Sequence, residues 1–479
     1  MSTFEPRALP QATLDGGGGR RARGRASALL LWCIPLLAGL AAWLIAADAI
    51  AIPAAAVAIV LLVYFSLRDV RFAYMALVGL AAFVDYGGGF LTRWLSIVCA
   101  WAVLLGILML WRSSWKTVVF PRASVGVPVA IWIAWACFGA LNGWLKSNNE
   151  QHLGLEFLGA LWPLIGLVAM QLFGRENLGY VLVGLVVVTL PQVPYGLIEM
   201  KKEGIRIGGV YFICLTGLAA MGLWVCALLT PSRRVRFVAL LASMPLLLHV
   251  LLSFTRSFWL GFLVALGAAA VLVWWNLGWH EPEVRWRRML HIPVFAGLLG
   301  LTALVGIAVS GEKDLLGGIG RRFGTSFSTE ANWETASNFF RLVEYDEAIS
   351  WAKQSPIVGQ GFGHMHVLRD PFFGTRFLEG TVHDYYLFLW LKLGAVGLAA
   401  FALLIGSTLW AAFGVARRAS DWKVRAWAIG TIAITVQVLT ISVANYPLGD
   451  VNAGFYLGTI WGVLWSLDRQ VPPFQRPSW

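Results

Sequence analysis

The chain has 479 residues, 58% hydrophobic and only 13% charged, with a formal net charge of +12. A soluble chain carries about 25% charged residues, so a soluble multidomain protein is excluded. Apolar runs of roughly 20 residues recur along the chain. Each is long enough to cross a hydrocarbon core of about 30 Å as a helix, whereas a membrane barrel would show short alternating segments.

In chain order, residues 1–27 form a Gly- and Arg-rich tail ending in Arg20, Arg21, Arg23 and Arg25. An apolar run follows, and Ala47-Asp48-Ala49 resembles a signal-peptide cleavage site. An uncleaved first span is preferred, because the later alternation then closes. About fourteen candidate spans follow, near 28–47, 49–67, 72–90, 92–111, 124–143, 153–172, 177–198, 208–229, 235–253, 256–277, 289–310, 384–413, 424–445 and 449–467. Miscounting at the shortest connections, such as that near Asp48, would reduce them to twelve or thirteen. The expected fold is an all-α, polytopic membrane protein of about 12–14 helices. Its parts are a basic cytoplasmic tail (1–27), N-terminal spans (28–310), one large polar loop (311–382), C-terminal spans (383–467) and a cytoplasmic tail (468–479).

With the N-terminus in the cytoplasm and strict alternation, the inner segments hold 23 Lys/Arg and the short outer segments hold 6: Arg93, Lys146, Lys201, Lys202, Arg206 and Arg256. That asymmetry is the positive-inside pattern and puts 311–382 on the outer face. Basic tracts between spans thus read as topology, not as a nucleic-acid surface. The five cysteines (Cys33, Cys99, Cys137, Cys214, Cys226) all lie in apolar runs without a CxxC or Cys/His cluster, which suits small buried hydrophobes. Arg256 opens a span in Ser253-Phe254-Thr255-Arg256-Ser257-Phe258-Trp259. It is either an interfacial anchor beside Trp259 or an anion site.

The loop 311–382 is too long and too aromatic (Trp333, Phe339, Phe340, Trp351, Phe362, Phe372, Phe373, Phe377) for a flexible tether. Asn338 to Ser355 reads as an amphipathic helix with Leu342, Tyr345, Ile349 and Ala352 on one face, ended by Pro356. Arg341 and Glu344 are spaced to pair along it. Gly359-Gln360-Gly361-Phe362-Gly363 supplies a turn of the kind that cradles phosphate through backbone amides, a weak indication without a preceding strand. His364 and His366 are metal ligands or surface or interface histidines, and no third ligand is evident in the sequence. Thr381-Val382-His383-Asp384-Tyr385-Tyr386 marks the return to the membrane. His383 is a general base or a capping histidine, and Asp384 caps the helix or tunes the imidazole. Lys392 lies about two turns into its span; it snorkels or pairs with Asp450 or Asp85, or belongs to an intramembrane charge pathway.

The run from Arg341 through Pro356 and Gly359-Gln360-Gly361-Phe362-Gly363 to His383-Asp384-Tyr385-Tyr386-Leu387, Gly394 and Gly397 resembles the bacterial O-antigen ligase and O-antigen polymerase superfamily. Thr255-Arg256-Ser257-Phe258-Trp259-Leu260-Gly261 is similar to that family's Ser-Arg-x-x-Trp-x-Gly segment, and Arg206-Ile207-Gly208-Gly209 to its Arg-x-x-Gly segment. The resemblance covers roughly 200–415. Asp384 stands where Asn is usual, and Lys392 where an acidic residue often precedes the glycine.

The resemblance implies a C-type glycosyltransferase fold in a bacterial inner membrane, facing the periplasm and needing neither cofactor nor metal. Its implied partners are an undecaprenyl-diphosphate-linked glycan as donor, an acceptor glycan or lipid A core, and membrane lipid. A diphosphate leaving group gains negative charge in the transition state, so fixed cations are the main requirement, and guanidinium binds oxyanions in a forked geometry. Arg256 and Arg341 are expected to hold the diphosphate, with Arg206, Lys201 and Lys202 assisting. His383 is expected to take the acceptor proton, with Asp384 and Tyr385 on the substrate side. A ligase, a polymerase and a protein O-oligosaccharyltransferase are alike at this level, with a slight leaning to a polymerase. A multispanning transporter or lipid-linked glycan flippase is the alternative class.

Overall fold

The computed structural model describes residues 68–81, 119–194, 210–252, 255–290, 336–369, 376–449 and 451–472, with single positions at 64, 297, 300 and 301. The candidate spans near 28–47, 49–67, 92–111 and 289–310 fall wholly or largely outside these residues. The described helices are α1 (Val70–Ala81), α2 (Ala123–Leu145), α3 (Glu150–Ala160), α4 (Trp162–Leu172), α5 (Leu178–Thr189), α6 (Val210–Leu229), α7 (Arg233–Leu252), α8 (Arg256–His280), α9 (Pro282–Met289), α10 (Ala336–Gln354), α11 (Tyr385–Arg418), α12 (Trp422–Ser442) and α13 (Val451–Gln470). Among the described residues, seven helical stretches are long and apolar enough to span a membrane: Ala123–Leu145, Glu150–Leu172, Arg175–Pro194, Arg233–Leu251, Arg256–His280, Tyr385–Arg418 and Trp422–Ser442. The protein is a polytopic all-α membrane protein, as its apolar runs predict. Among the described residues the departure is a short antiparallel hairpin in the loop, β1 (His366–Arg369) with β2 (Arg376–Glu379), pairing His366 with Glu379 and Arg369 with Arg376. Four-residue strands inside a polar loop leave too short a pattern to read from sequence.

Lipid tails are as apolar as leucine, so helices in a membrane associate by close packing rather than by hydrophobic exclusion. The α4–α13 contact shows this. Gly454, Gly458 and Gly462 recur every four residues on α13, and each lies against α4. A methyl group on Gly462 would sit 2.0 Å from the Gly166 carbonyl oxygen, and one on Gly458 would sit 2.6 Å from that of Trp162. Trp162 and Trp461 meet edge-on, with ring centroids 4.7 Å apart.

One end of the bundle is tied by charges. Asp468 at the end of α13 takes Arg418 from the end of α11 at 2.6 Å and Arg122 from the start of α2 at 3.4 Å. Asp421 caps α12 and pairs with Arg175 at 2.9 Å. Glu281 bridges Arg288 and Arg425. The helices therefore present their basic ends together, and the loop element α10 stands at the other end, where α11 begins.

The opposite end is organised by a break in α11. Gly394 has φ +68° and ψ −173° inside an otherwise helical stretch, a conformation open to glycine but not to a residue with a Cβ. Freed backbone groups at membrane depth must find partners within the protein, and they do. The Leu391 and Lys392 carbonyls accept from the backbone N–H groups of Gln360 and Gly361. The Pro356 and Ile357 carbonyls accept from those of Ala395 and Val396. Trp135 Nε1 donates to the Leu393 carbonyl at 3.0 Å. The glycine turn of the polar loop thus enters between α2 and α11. Gly359, Gly361 and Gly363 all have positive φ (+73°, +87° and +76°), and Asn148 Nδ2 donates to the carbonyls of Gln360 and Phe362. This turn, of a kind that can cradle phosphate, is filled by protein backbone: a methyl group on Gly361 would lie 2.4 Å from the Gly143 nitrogen.

Candidate active site at the start of α11

The expected loop helix is present as α10, with its face rotated from the expected one. Glu344, Ala348 and Ala352, spaced four apart, are buried, whereas Leu342 is 57% exposed. The reason lies across the helix. Glu344 meets His383, with Nδ1 2.9 Å from Oε2 and 3.1 Å from Oε1, and the His383 backbone N–H is 3.4 Å from Oε1. The Arg341–Glu344 pairing suggested by their spacing gives way to this longer-range contact, because a carboxylate that is 1% exposed needs a partner inside the fold.

His383 is 45% exposed in its side chain, so one edge of the ring is anchored to Glu344 and the rest faces out. Asp384 next to it is the N-cap of α11 and accepts the backbone N–H groups of Tyr386 at 2.8 Å and Leu387 at 2.9 Å. Its carboxyl is raised above the ordinary range, first by burial and further by the Glu344 charge, against the pull of those two N–H groups. Arg341, one turn before Glu344, is partly buried and lies within electrostatic range of Tyr345. Burial pushes the Tyr345 phenol up to about 12; Arg341 opposes this, while Asp384 and Glu344 add to it. Arg341, Glu344, Tyr345, His383 and Asp384 therefore form one polar cluster at the mouth of α11.

The other expected site residues are placed differently. Arg256 is the first residue of α8 and is partly buried. Its neighbour Ser257 is hydrogen-bonded to Asn445. Tyr446, next along, packs on Tyr385 with ring centroids 5.5 Å apart. Tyr385 itself is 2% exposed and packs among Phe388, Phe401 and Tyr446. It faces the core, where a substrate-side residue was expected. An aromatic ring entering a span is buried wherever neighbouring helices offer rings. Arg206, Lys201 and Lys202 lie outside the described residues.

The histidines of the loop sit inward. His366 on β1 is fully buried and His364 packs on Trp351, with ring centroids 5.0 Å apart. Burial, and then the Lys392 charge, lowers the affinity of both rings for a proton, holding His364 at about 4. Among the described residues no group of three or more His, Cys, Asp or Glu is placed to hold a metal ion.

Lys392 pairs with Glu156, and the two partners expected for it, Asp85 and Asp450, lie outside the described residues. Its Nζ donates to Glu156 Oε1 on α3 at 2.7 Å and to the His364 carbonyl. Glu156 Oε2 accepts the Gly363 backbone N–H at 2.7 Å. The pair was readable in principle: each is a lone charge in an apolar span, and each lies six or seven residues from the same end of its helix.

Residues 237–402 match the family described as O-antigen ligase. None of the curated proteins compared with the chain matches it. The matched stretch runs from α7 into α11 and contains Arg256, Arg341, Glu344, His383 and Lys392, but not Glu156.

Proposed function

We propose that this chain, a member of the O-antigen ligase and polymerase superfamily through residues 237–402, transfers a glycan from an undecaprenyl-diphosphate carrier to an acceptor sugar hydroxyl on the periplasmic face of the bacterial inner membrane. Glycan transfer of the O-antigen ligase or polymerase type is what the family match supports. Donor, acceptor, membrane face and residue roles are our reading.

The observation that carries it is the Glu344–His383 contact beside Arg341. A carboxylate only accepts hydrogen bonds, so Glu344 holds the proton on His383 Nδ1 and leaves the Nε2 lone pair free. An acceptor hydroxyl at Nε2 gives up its proton there as its oxygen attacks the anomeric carbon. The bond from that carbon to the diphosphate oxygen breaks, and the lipid diphosphate leaves with the electron pair. Arg341 and Arg256 hold that oxyanion as its charge grows, the stage at which preorganised cations lower the barrier most. Direct in-line attack inverts the anomeric configuration. Asp384 sets the start of α11 and so the position of His383.

The test is turnover of a lipid-diphosphate glycan by purified protein in nanodiscs. His383→Ala is expected to lose about 10²- to 10⁴-fold in kcat, the usual contribution of a general base. Activity within a factor of two of wild type, with the variant correctly inserted, would remove the assignment. The product in a deletion strain separates the members of this class: core lacking polymer indicates a ligase, single repeat units a polymerase.

A further inference from the structure

The break at Gly394 separates the first turns of α11, residues 385–393, from the long segment that follows. The short segment does not inherit its direction from the long one, so other contacts must set it. The Lys392–Glu156 ion pair is one of them. It joins α11 to α3, and through Gly363 and His364 it joins both to the re-entrant glycine turn. Both side chains are nearly inaccessible, 0% for Lys392 and 4% for Glu156, so neither is available to meet solvent or substrate. The turn in turn carries the end of α10: Gln360 Nε2 donates to the Trp351 carbonyl at 3.0 Å, and Trp390 Nε1 donates to the Pro356 carbonyl at 3.1 Å.

We propose that Lys392 and Glu156 are positioning residues for the glycan-transfer site: they seat the re-entrant turn and thereby fix the angle at which α10 presents Arg341 and Glu344 to His383. The inference rests on the site reading above. Glu344 stands ten residues before the end of α10, roughly 15 Å away at 1.5 Å per residue. A tilt of about 4° at the turn therefore moves its carboxylate by about 1 Å, a displacement on the scale that costs an active site roughly 100-fold. Removing one member of a buried pair leaves an uncompensated charge, which water entering at the turn relieves by loosening it. Exchanging the two charges keeps the ion pair but turns a carboxylate towards the His364 carbonyl and an ammonium towards the Gly363 N–H, so both hydrogen bonds that seat the turn are lost.

The experiment compares full-length Lys392→Met, Glu156→Gln, the double neutral variant and the charge exchange (Lys392→Glu with Glu156→Lys) in nanodiscs, with His383→Ala as control. Two readouts are taken: kcat and KM for an undecaprenyl-diphosphate glycan, and the spin-label distance distribution between Leu342→Cys on α10 and Leu403→Cys on α11, both exposed, in a background without native cysteines. Each single variant is expected to lose about 10- to 100-fold in kcat with KM within threefold, and to broaden the distance distribution. The exchange is expected to stay within threefold of the singles in kcat with an equally broad distribution, because the turn needs a donor at 392 and an acceptor at 156; wild-type kcat in the exchange overturns the proposal. If the singles do not insert, the double neutral variant carries the test, with lowered kcat and a broadened distribution expected. Wild-type kcat in a single or double neutral variant overturns the proposal. So does a kcat loss with an unchanged distance distribution. Full turnover by His383→Ala overturns the site reading instead, while the distance measurement still reports whether the pair holds α10.

Discussion

Replacing Glu344 by Gln isolates what the buried carboxylate does for His383. The side chains have the same shape, so α10 keeps its packing against α11. The carboxylate contacts Nδ1 with both oxygens, at 2.9 and 3.1 Å, and fixes the proton on that nitrogen. With its carbonyl oxygen kept on the His383 backbone N–H, the glutamine turns its NH2 to Nδ1 and favours the tautomer with its proton on Nε2, where the acceptor hydroxyl must deliver its own. The imidazolium formed during transfer also loses its counter-charge. A wrong tautomer and a lost counter-charge at an anchored histidine remove most of its value as a base, about 10²- to 10⁴-fold in kcat, or roughly 3–5 kcal/mol of barrier at 1.36 kcal/mol per tenfold. KM for the donor should hold, because Glu344 touches His383 and no donor atom is assigned to it. The assay is single-turnover transfer in nanodiscs, with thermal unfolding to confirm that the fold has lost no more than about 1–3 kcal/mol, the range for one altered buried hydrogen bond. In a His383→Ala background the same substitution should cost nothing further, since the two act as a unit. A kcat within a factor of two of wild type, or a full additional loss in the His383→Ala background, would refute the dyad.

Arg341→Lys and Arg256→Lys keep the charge but lose the forked donor geometry; each is expected to lower kcat/KM roughly tenfold or more, measured with the same donor, and unchanged kinetics would mark an anchor. Gly361→Ala forces a Cβ to 2.4 Å from the Gly143 nitrogen at φ +87°. Backbone strain of about 1–3 kcal/mol plus that overlap should lower the Tm and the yield of monodisperse protein. At the basic end, burial pushes the Asp421 carboxyl up, but the Lys423 N–H and the Arg175 guanidinium outweigh it, leaving it below the ordinary range. A depressed carboxyl stabilises the fold above its unfolded pKa, and that stability is lost as pH falls through the folded value. Wild type should therefore exceed Asp421→Asn in Tm at neutral pH and converge with it below about pH 4, while turnover at pH 7 is the same in both. Reporter fusions after Ala419 and at Leu378 should read opposite sides of the membrane, cytoplasmic and periplasmic.

Much of the site was legible because its chemistry is local. His383 and Asp384 stand where an apolar span begins, and an aspartate there caps the helix through its own backbone neighbours whatever else surrounds it. The loop helix ended at Pro356 as proline requires. Its inward face was misread because Leu342 is apolar and Glu344 is charged, and hydropathy assigns the charge to solvent. A residue on another element, His383, decided otherwise. The glycine turn was recognised as a turn, but its role was not. Three positive-φ glycines serve equally to wrap a phosphate or to let two backbones touch, and only the neighbours distinguish the two.

Amino-acid order alone shows a helical membrane protein, roughly where the spans among its described residues run, and which residues resemble the O-antigen ligase family. Those properties follow from hydrophobic length, charge bias and short spacings, which are carried by neighbours along the chain. The tertiary structure alone decided that Glu344 meets His383, that Lys392 finds Glu156 more than two hundred residues away, and that the loop turn is inserted into a broken helix. Each joins groups distant along the chain. At membrane depth a charge or a freed carbonyl must be satisfied by whatever the fold brings near, and no local pattern names that partner.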